Sequence, residues 1–105
     1  MSDWKLFIDD LREPQNNSYL IARSSKEAIQ IISATKCPNF ISFDHDLGGE
    51  DTAMAVVHFL IEKDLDSLGA FIPENFSFYV HSANPVGKEN IVLLSNYLSF
   101  RNRGA

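Results

Sequence analysis

Residues 4–10, Trp4-Lys5-Leu6-Phe7-Ile8-Asp9-Asp10, and residues 39–46, Asn39-Phe40-Ile41-Ser42-Phe43-Asp44-His45-Asp46, decide the fold. In each stretch a short apolar run, of the kind that forms a buried strand, ends in a pair of acidic residues. Parallel strands laid side by side would bring the four carboxylates to one edge, the edge where open α/β sheets bind their ligands. Carboxylates gathered there repel one another unless a cation or a shared proton relieves them. The pattern therefore points to a site that handles a metal or a phosphate. The plainer alternative is that Asp closes strands and opens turns for local reasons.

On either side of these stretches, apolar runs alternate with helical patterns. Residues 5–8 and 19–22 read as strands, joined through a loop at 13–18 that holds Pro14 and two Asn and is too short for a full helix. Ser24 and Glu27 match a capping box, and Ala28, Ile29 and Ile32 form the apolar stripe behind it. Residues 39–43 form the third strand, and residues 47–50, with Gly48 and Gly49, a loop. A helix from Thr52 follows, with Ala53, Val56, Val57, Leu60 and Ile61 at helical spacing. Residues 64–75 connect to a fourth strand at 76–80. Asn84-Pro85 then fits an N-cap with Pro at the first helical position, and Ile91, Leu94 and Leu98 face inward. The order β-β-α-β-α-β-α implies right-handed parallel crossovers in one layered α/β domain over residues 1–105.

With 105 residues and 45% hydrophobic content, the chain suits one globular domain with a real core. It contains no stretch of membrane-spanning length and no signal-peptide pattern at Met1 to Lys5, and its single cysteine, Cys37, is expected to be a small buried hydrophobe. These features fit a cytoplasmic protein. The net charge of −5 opposes loose binding along nucleic acid, so no extended nucleic-acid surface is expected. A phosphate at one local site remains compatible, because a bound divalent ion inverts the local field. Arg101 and Arg103 fall in what reads as a frayed tail.

The strand-end residues resemble those of the receiver domain of two-component signalling. The acidic pair after the first strand is Asp9-Asp10, the position of the phosphate-accepting Asp is Asp44, and a Ser-Ala pair after the fourth strand is Ser82-Ala83. The resemblance implies a reduced receiver-like, flavodoxin-like three-layer sandwich. Its four-stranded parallel sheet would have order 2-1-3-4, with about three helices on both faces. A receiver's fifth strand and its Lys have no counterpart here, and the first receiver helix is reduced to the loop at 13–18. Three features are additional to the receiver pattern: Arg12-Glu13-Pro14 after the acidic pair, His45 and His81. They fall in the strings Asp9-Asp10-Leu11-Arg12-Glu13-Pro14, Ser42-Phe43-Asp44-His45-Asp46-Leu47-Gly48-Gly49 and His81-Ser82-Ala83-Asn84-Pro85-Val86-Gly87. Together they look like the cyclic-phosphate-processing receiver-like family, a receiver derivative proposed to process cyclic phosphate ends in RNA repair.

That resemblance implies a phosphoesterase acting on an RNA 2′,3′-cyclic phosphate end or a cyclic nucleotide. Such hydrolysis needs an activated water, a protonated leaving oxygen and stabilised phosphoryl charge. His45 and His81 suit the proton transfers, and Asp44 joins them as a catalytic candidate. Arg12 offers a bidentate fork to phosphate, assisted by Ser82, Asn84 and the helix start behind Asn84. Asp9, Asp10, Asp44 and Asp46 are the ligand set for a divalent cation, Mg²⁺ or Mn²⁺, with the Asp46 position supplying a backbone carbonyl in receivers. Each residue also has a local role open to it: His45 as a turn cap, His81 in a structural hydrogen bond, Arg12 as counter-charge to Asp9 or Asp10. Two other functions fit the same residues, a module that binds a cyclic nucleotide or phosphate without cleaving it, and a degenerate receiver serving as a protein-interaction platform.

Overall fold

The computed structural model describes residues 3–44, 46–81 and 85–104, with side chains in the last helix described over 91–101. Four strands form one sheet: β1 (Lys5–Ile8), β2 (Tyr19–Ala22), β3 (Phe40–Phe43) and β4 (Ser77–Val80). All three pairings are parallel and the order is β2-β1-β3-β4. Three helices complete the domain: α1 (Ser25–Ala34), α2 (Met54–Asp66) and α3 (Pro85–Gly104). The order of elements and of strands is the one the sequence implied. Among the described residues no helix is long and apolar enough to cross a membrane.

The strands are built mostly from Phe, Ile, Leu, Tyr and Val, residues that pack well on a pleated surface. Leu6, Ile8, Ala22, Ile41 and Phe43 are fully buried beneath Ala28 and Ile32 of α1, Val56, Val57 and Leu60 of α2, and Ile91 and Leu94 of α3. Each large side chain so buried contributes about 1.5–3 kcal/mol. Ser24 caps α1 by accepting from the Glu27 N–H at 3.0 Å. The Glu27 carboxylate reaches one residue further back than the motif describes and accepts from the Arg23 N–H at 2.6 Å. Cys37 is buried as expected, and burial, assisted by the Asp64 charge, pushes its thiol up to about 12.

The layering differs from the expectation. α1 packs on α2 and α2 on α3, so the helices form one row on one face of the sheet. The reason is the handedness of the crossovers: β2-α1-β3 and β3-α2-β4 travel the same way across the sheet and fall on the same side. The connection from β1 to β2 is the one that runs the other way, and it holds no helix. The second face, carrying Phe7, Tyr19, Ser42 and Tyr79, is covered only in part, by the loop at 12–16.

The C-terminal end of the chain also corrects the sequence reading. Arg101 lies inside α3 and donates to both carboxylate oxygens of Asp64, at 3.2 and 3.1 Å, and to the Ile72 carbonyl at 3.0 Å. Asp64 belongs to α2 rather than to a connection, is 0% exposed, and also accepts from the N–H groups of Phe71 and Ile72 and from the Tyr97 hydroxyl. Burial raises the Asp64 carboxyl, but the Ile72 N–H, the Tyr97 hydroxyl and Arg101 outweigh it and hold the group below the ordinary carboxylate range. This knot fastens α3 to α2 through an ion pair that no local periodicity reveals.

Candidate functional site

The sheet ladder runs one residue past three strands. Asp9 N–H donates to the Ala22 carbonyl at 3.1 Å, Asp44 N–H to Ile8 at 2.9 Å, and His81 N–H to Phe43 at 2.8 Å. These bonds set Asp9, Asp44 and His81 in a row across the carboxyl edge of the sheet. One carboxylate oxygen from each of Asp9, Asp10 and Asp44 lies within 4.8 Å of the others. The convergence expected from two acidic pairs is therefore present for three of the four carboxylates. Asp46 is exposed and joins Thr52 in an antiparallel bridge, which closes the loop carrying Gly48 and Gly49.

Asp9 is only 1% exposed, and its carboxylate is held from several sides. Oδ1 accepts from the N–H groups of Leu11 and Arg12, both at 2.9 Å, which is what turns the chain sharply after β1. Oδ2 meets His81 Nε2 at 2.9 Å. Burial raises the carboxyl, yet the Arg12 and Leu11 N–H groups and His81 outweigh it, so Asp9 titrates below the ordinary carboxylate range. An ionised carboxylate only accepts hydrogen bonds, so His81 Nε2 carries the proton. His81 Nδ1 lies 2.7 Å from the Ser42 hydroxyl, and in the neutral ring it accepts from that group. The ring also stacks on Phe7, with centroids 4.7 Å apart and planes 4° from parallel. His81 is thus fixed between a carboxylate and a hydroxyl, with both nitrogens engaged.

The turn after β1 has its own clamp. Arg23 Nη1 donates to the carbonyls of Asp9 at 3.1 Å and Arg12 at 2.6 Å, and its Nη2 pairs with Glu13. The Arg12 side chain is exposed at the edge, with Nη1 3.5 Å from the His81 carbonyl. On the other side, the loop after β3 is anchored by Asp51, which accepts from the N–H of Ser25 at 2.9 Å and from its hydroxyl. This holds Gly48, at φ +95°, against Asp10: a Cβ at that position would sit 3.3 Å from Asp10 Oδ2. Glycine there leaves the carboxylate group room.

Of the residues singled out from sequence, Asp9, Asp10, Asp44 and His81 converge, and Arg12 borders them. His45, Ser82 and Asn84 lie outside the described residues. Sequence reasoning missed Ser42, Arg23 and Asp51. Ser42 left one signal, a hydroxyl in the middle of the apolar strand Phe40-Ile41-Ser42-Phe43. Buried polar groups need partners, and this one's partner is His81. The donor set is all carboxylate oxygen, the chemistry that hard divalent cations prefer, and the glycine beside Asp10 keeps it open. Asp9, Asp10 and Asp44 therefore fit such an ion.

Sheet order, crossovers and the acidic strand-end group define a receiver-like α/β domain. A family model described as the cyclic-phosphate processing receiver domain matches residues 4–96, and the chain belongs to that family. Comparisons with curated proteins and with solved structures each return no significant match.

Proposed function

We propose that the domain is a phosphoesterase that opens a cyclic phosphate, on an RNA 2′,3′-cyclic end or a cyclic nucleotide, in the cytoplasm. The observation that carries this reading is the convergence of Asp9, Asp10 and Asp44 beside a histidine whose orientation is fixed. Water adds to phosphorus, the bond from phosphorus to one ribose oxygen breaks, and a phosphate monoester results. The water loses a proton and the leaving oxygen gains one. His45 and His81 are assigned these transfers, with Asp44 beside them. For His81 the working nitrogen is Nδ1, because Nε2–H is committed to Asp9, and the Ser42 hydroxyl is the partner that substrate must displace. Arg12, Ser82 and Asn84 are assigned to the phosphoryl oxygens. Asp9, Asp10 and Asp44, with Asp46 adjacent, would hold Mg²⁺ or Mn²⁺, which supplies positive charge against the phosphoryl oxygens when bound.

One observation favours a second reading, a module that binds a cyclic phosphate without cleaving it: both His81 ring nitrogens are already engaged. A single assay separates the two. The protein is incubated with 2′,3′-cyclic nucleotides and with a short RNA ending in the cyclic phosphate, with and without Mg²⁺ or Mn²⁺. The phosphoesterase yields ring-opened monoester. Tight binding with intact ligand under every condition supports the module instead. A stable adduct on Asp44 from a small phosphodonor points to receiver-type chemistry.

A further inference from the structure

The face of the sheet that lacks helices carries a groove of about 350 Å³, at the small end of the range for ligand sites. Its floor is Phe7, Tyr19, Ser42, Tyr79 and His81, and its wall is the loop at 12–16. The groove is continuous with the acidic edge. Phe7, Ser42 and Tyr79 are register partners across β1, β3 and β4. Asp9, Asp44 and His81 form the corresponding row two residues further on, a distance of roughly 6.6 Å along a strand. His81 belongs to both places, bonded to Asp9 at the edge and lining the groove.

The floor offers aromatic surface, with Tyr79 60% exposed on it and the Phe7–His81 pair stacked beside it. Hydrogen-bonding groups of Ser42, Gln15 and Asn16 border that surface. Open sheet faces with aromatic side chains take up unpaired bases by stacking. The net charge of −5 gives no basic track for a longer strand, which a sequence-tolerant single-strand groove requires. We infer that this groove is the subsite for one nucleobase, that of the nucleotide whose cyclic phosphate reaches the acidic edge. The inference rests on the proposed phosphate chemistry for the identity of the ligand, and on the groove for where its base lies.

Three probes test it: adenosine 2′,3′-cyclic phosphate, glycerol 1,2-cyclic phosphate, which has no base, and adenosine, which has no phosphate. Binding is read by calorimetry and by backbone amide shifts. A stacked base contributes about 1–3 kcal/mol, so Tyr79→Ala weakens the adenosine nucleotide by roughly five- to 150-fold. Tyr79→Phe keeps the ring and restores affinity, and the glycerol compound loses far less than the nucleotide. Adenosine alone shifts the amides of Phe7, Tyr19 and Tyr79. If adenosine shifts them while no cyclic phosphate is ever cleaved, the groove stands and the phosphoesterase reading falls. The groove assignment is overturned if adenosine leaves these amides unmoved, or if Tyr79→Ala weakens the nucleotide and the glycerol compound equally. A cyclic-phosphate-ended RNA binding tenfold or more tighter than the mononucleotide would overturn the limit to one base.

Discussion

Asp9→Asn is the substitution that probes the site most directly, because shape is kept while charge and one donor direction change. In the parent, the ionised carboxylate accepts from Leu11 N–H, Arg12 N–H and His81 Nε2. Hydrogen bonds to a charged partner contribute about 1.5–3 kcal/mol, against about 0.5–1.5 for neutral ones. Asparagine oxygen still serves the two backbone groups as a neutral acceptor, at a loss of about 1 kcal/mol each. Its NH₂ then confronts His81 Nε2–H, donor against donor. The ring must move its proton to Nδ1, which turns the Ser42 hydroxyl into an acceptor and costs about another 1 kcal/mol. Removing one charge from beside Asp10 and Asp44 returns part of this, so a net loss of about 2 kcal/mol is expected, between the gross hydrogen-bond loss and the carboxylate repulsion it relieves. For a domain of this size that lowers Tm by roughly 10 °C. Urea unfolding at neutral pH measures it. The acid limb gives a second reading. Asp9 titrates below its unfolded value, so its contribution is present above about pH 4 and lost as pH falls through the lower folded value. Asp9→Asn flattens that limb. A variant as stable as the parent at neutral pH, with the same acid limb, would show that the Asp9–His81 bond does not organise the edge.

Other expectations follow from the same geometry. Asp64→Ala leaves Arg101 with its charge uncompensated and two N–H groups without their acceptor, at a cost of about 3–5 kcal/mol in denaturant unfolding. The paired change Asp64→Leu with Arg101→Met recovers part of that; no recovery would refute the charge argument. Gly48→Ala combines an unfavourable φ with a Cβ 3.3 Å from Asp10 Oδ2. It lowers both stability and divalent-ion affinity, and unchanged ion affinity would separate the loop from the carboxylate group. Mg²⁺ or Mn²⁺ raises Tm, by the equivalent of about 2.7 kcal/mol at a hundredfold excess over Kd. Asp10→Asn removes most of this rise, whereas the same rise in that variant would place the ion elsewhere.

Much of the architecture was legible along the chain because its signals are local. Strand-length apolar runs, the Ser24 cap and the helical spacing of Val56, Val57 and Leu60 each depend on neighbours within a turn or two. They led to four strands, three helices and an acidic strand-end pair on β1 and β3. Parallel crossovers then required Asp9-Asp10 and Asp44 to share an edge, and they do.

The features that were not legible along the chain depend on partners far apart in sequence. Ser42 and His81 are 39 residues apart, His81 and Asp9 are 72, and Arg101 and Asp64 are 37. No periodicity links such positions; the register of β1, β3 and β4 and the packing of α3 on α2 bring them together. The helices expected on both faces lie on one, because the direction of each crossover sets its side and the one connection running the other way is too short for a helix. That shortness was plain in the sequence at residues 13–18. Its consequence, a sheet face left open beside the acidic edge, belongs to the folded chain, where strand order and handedness act together.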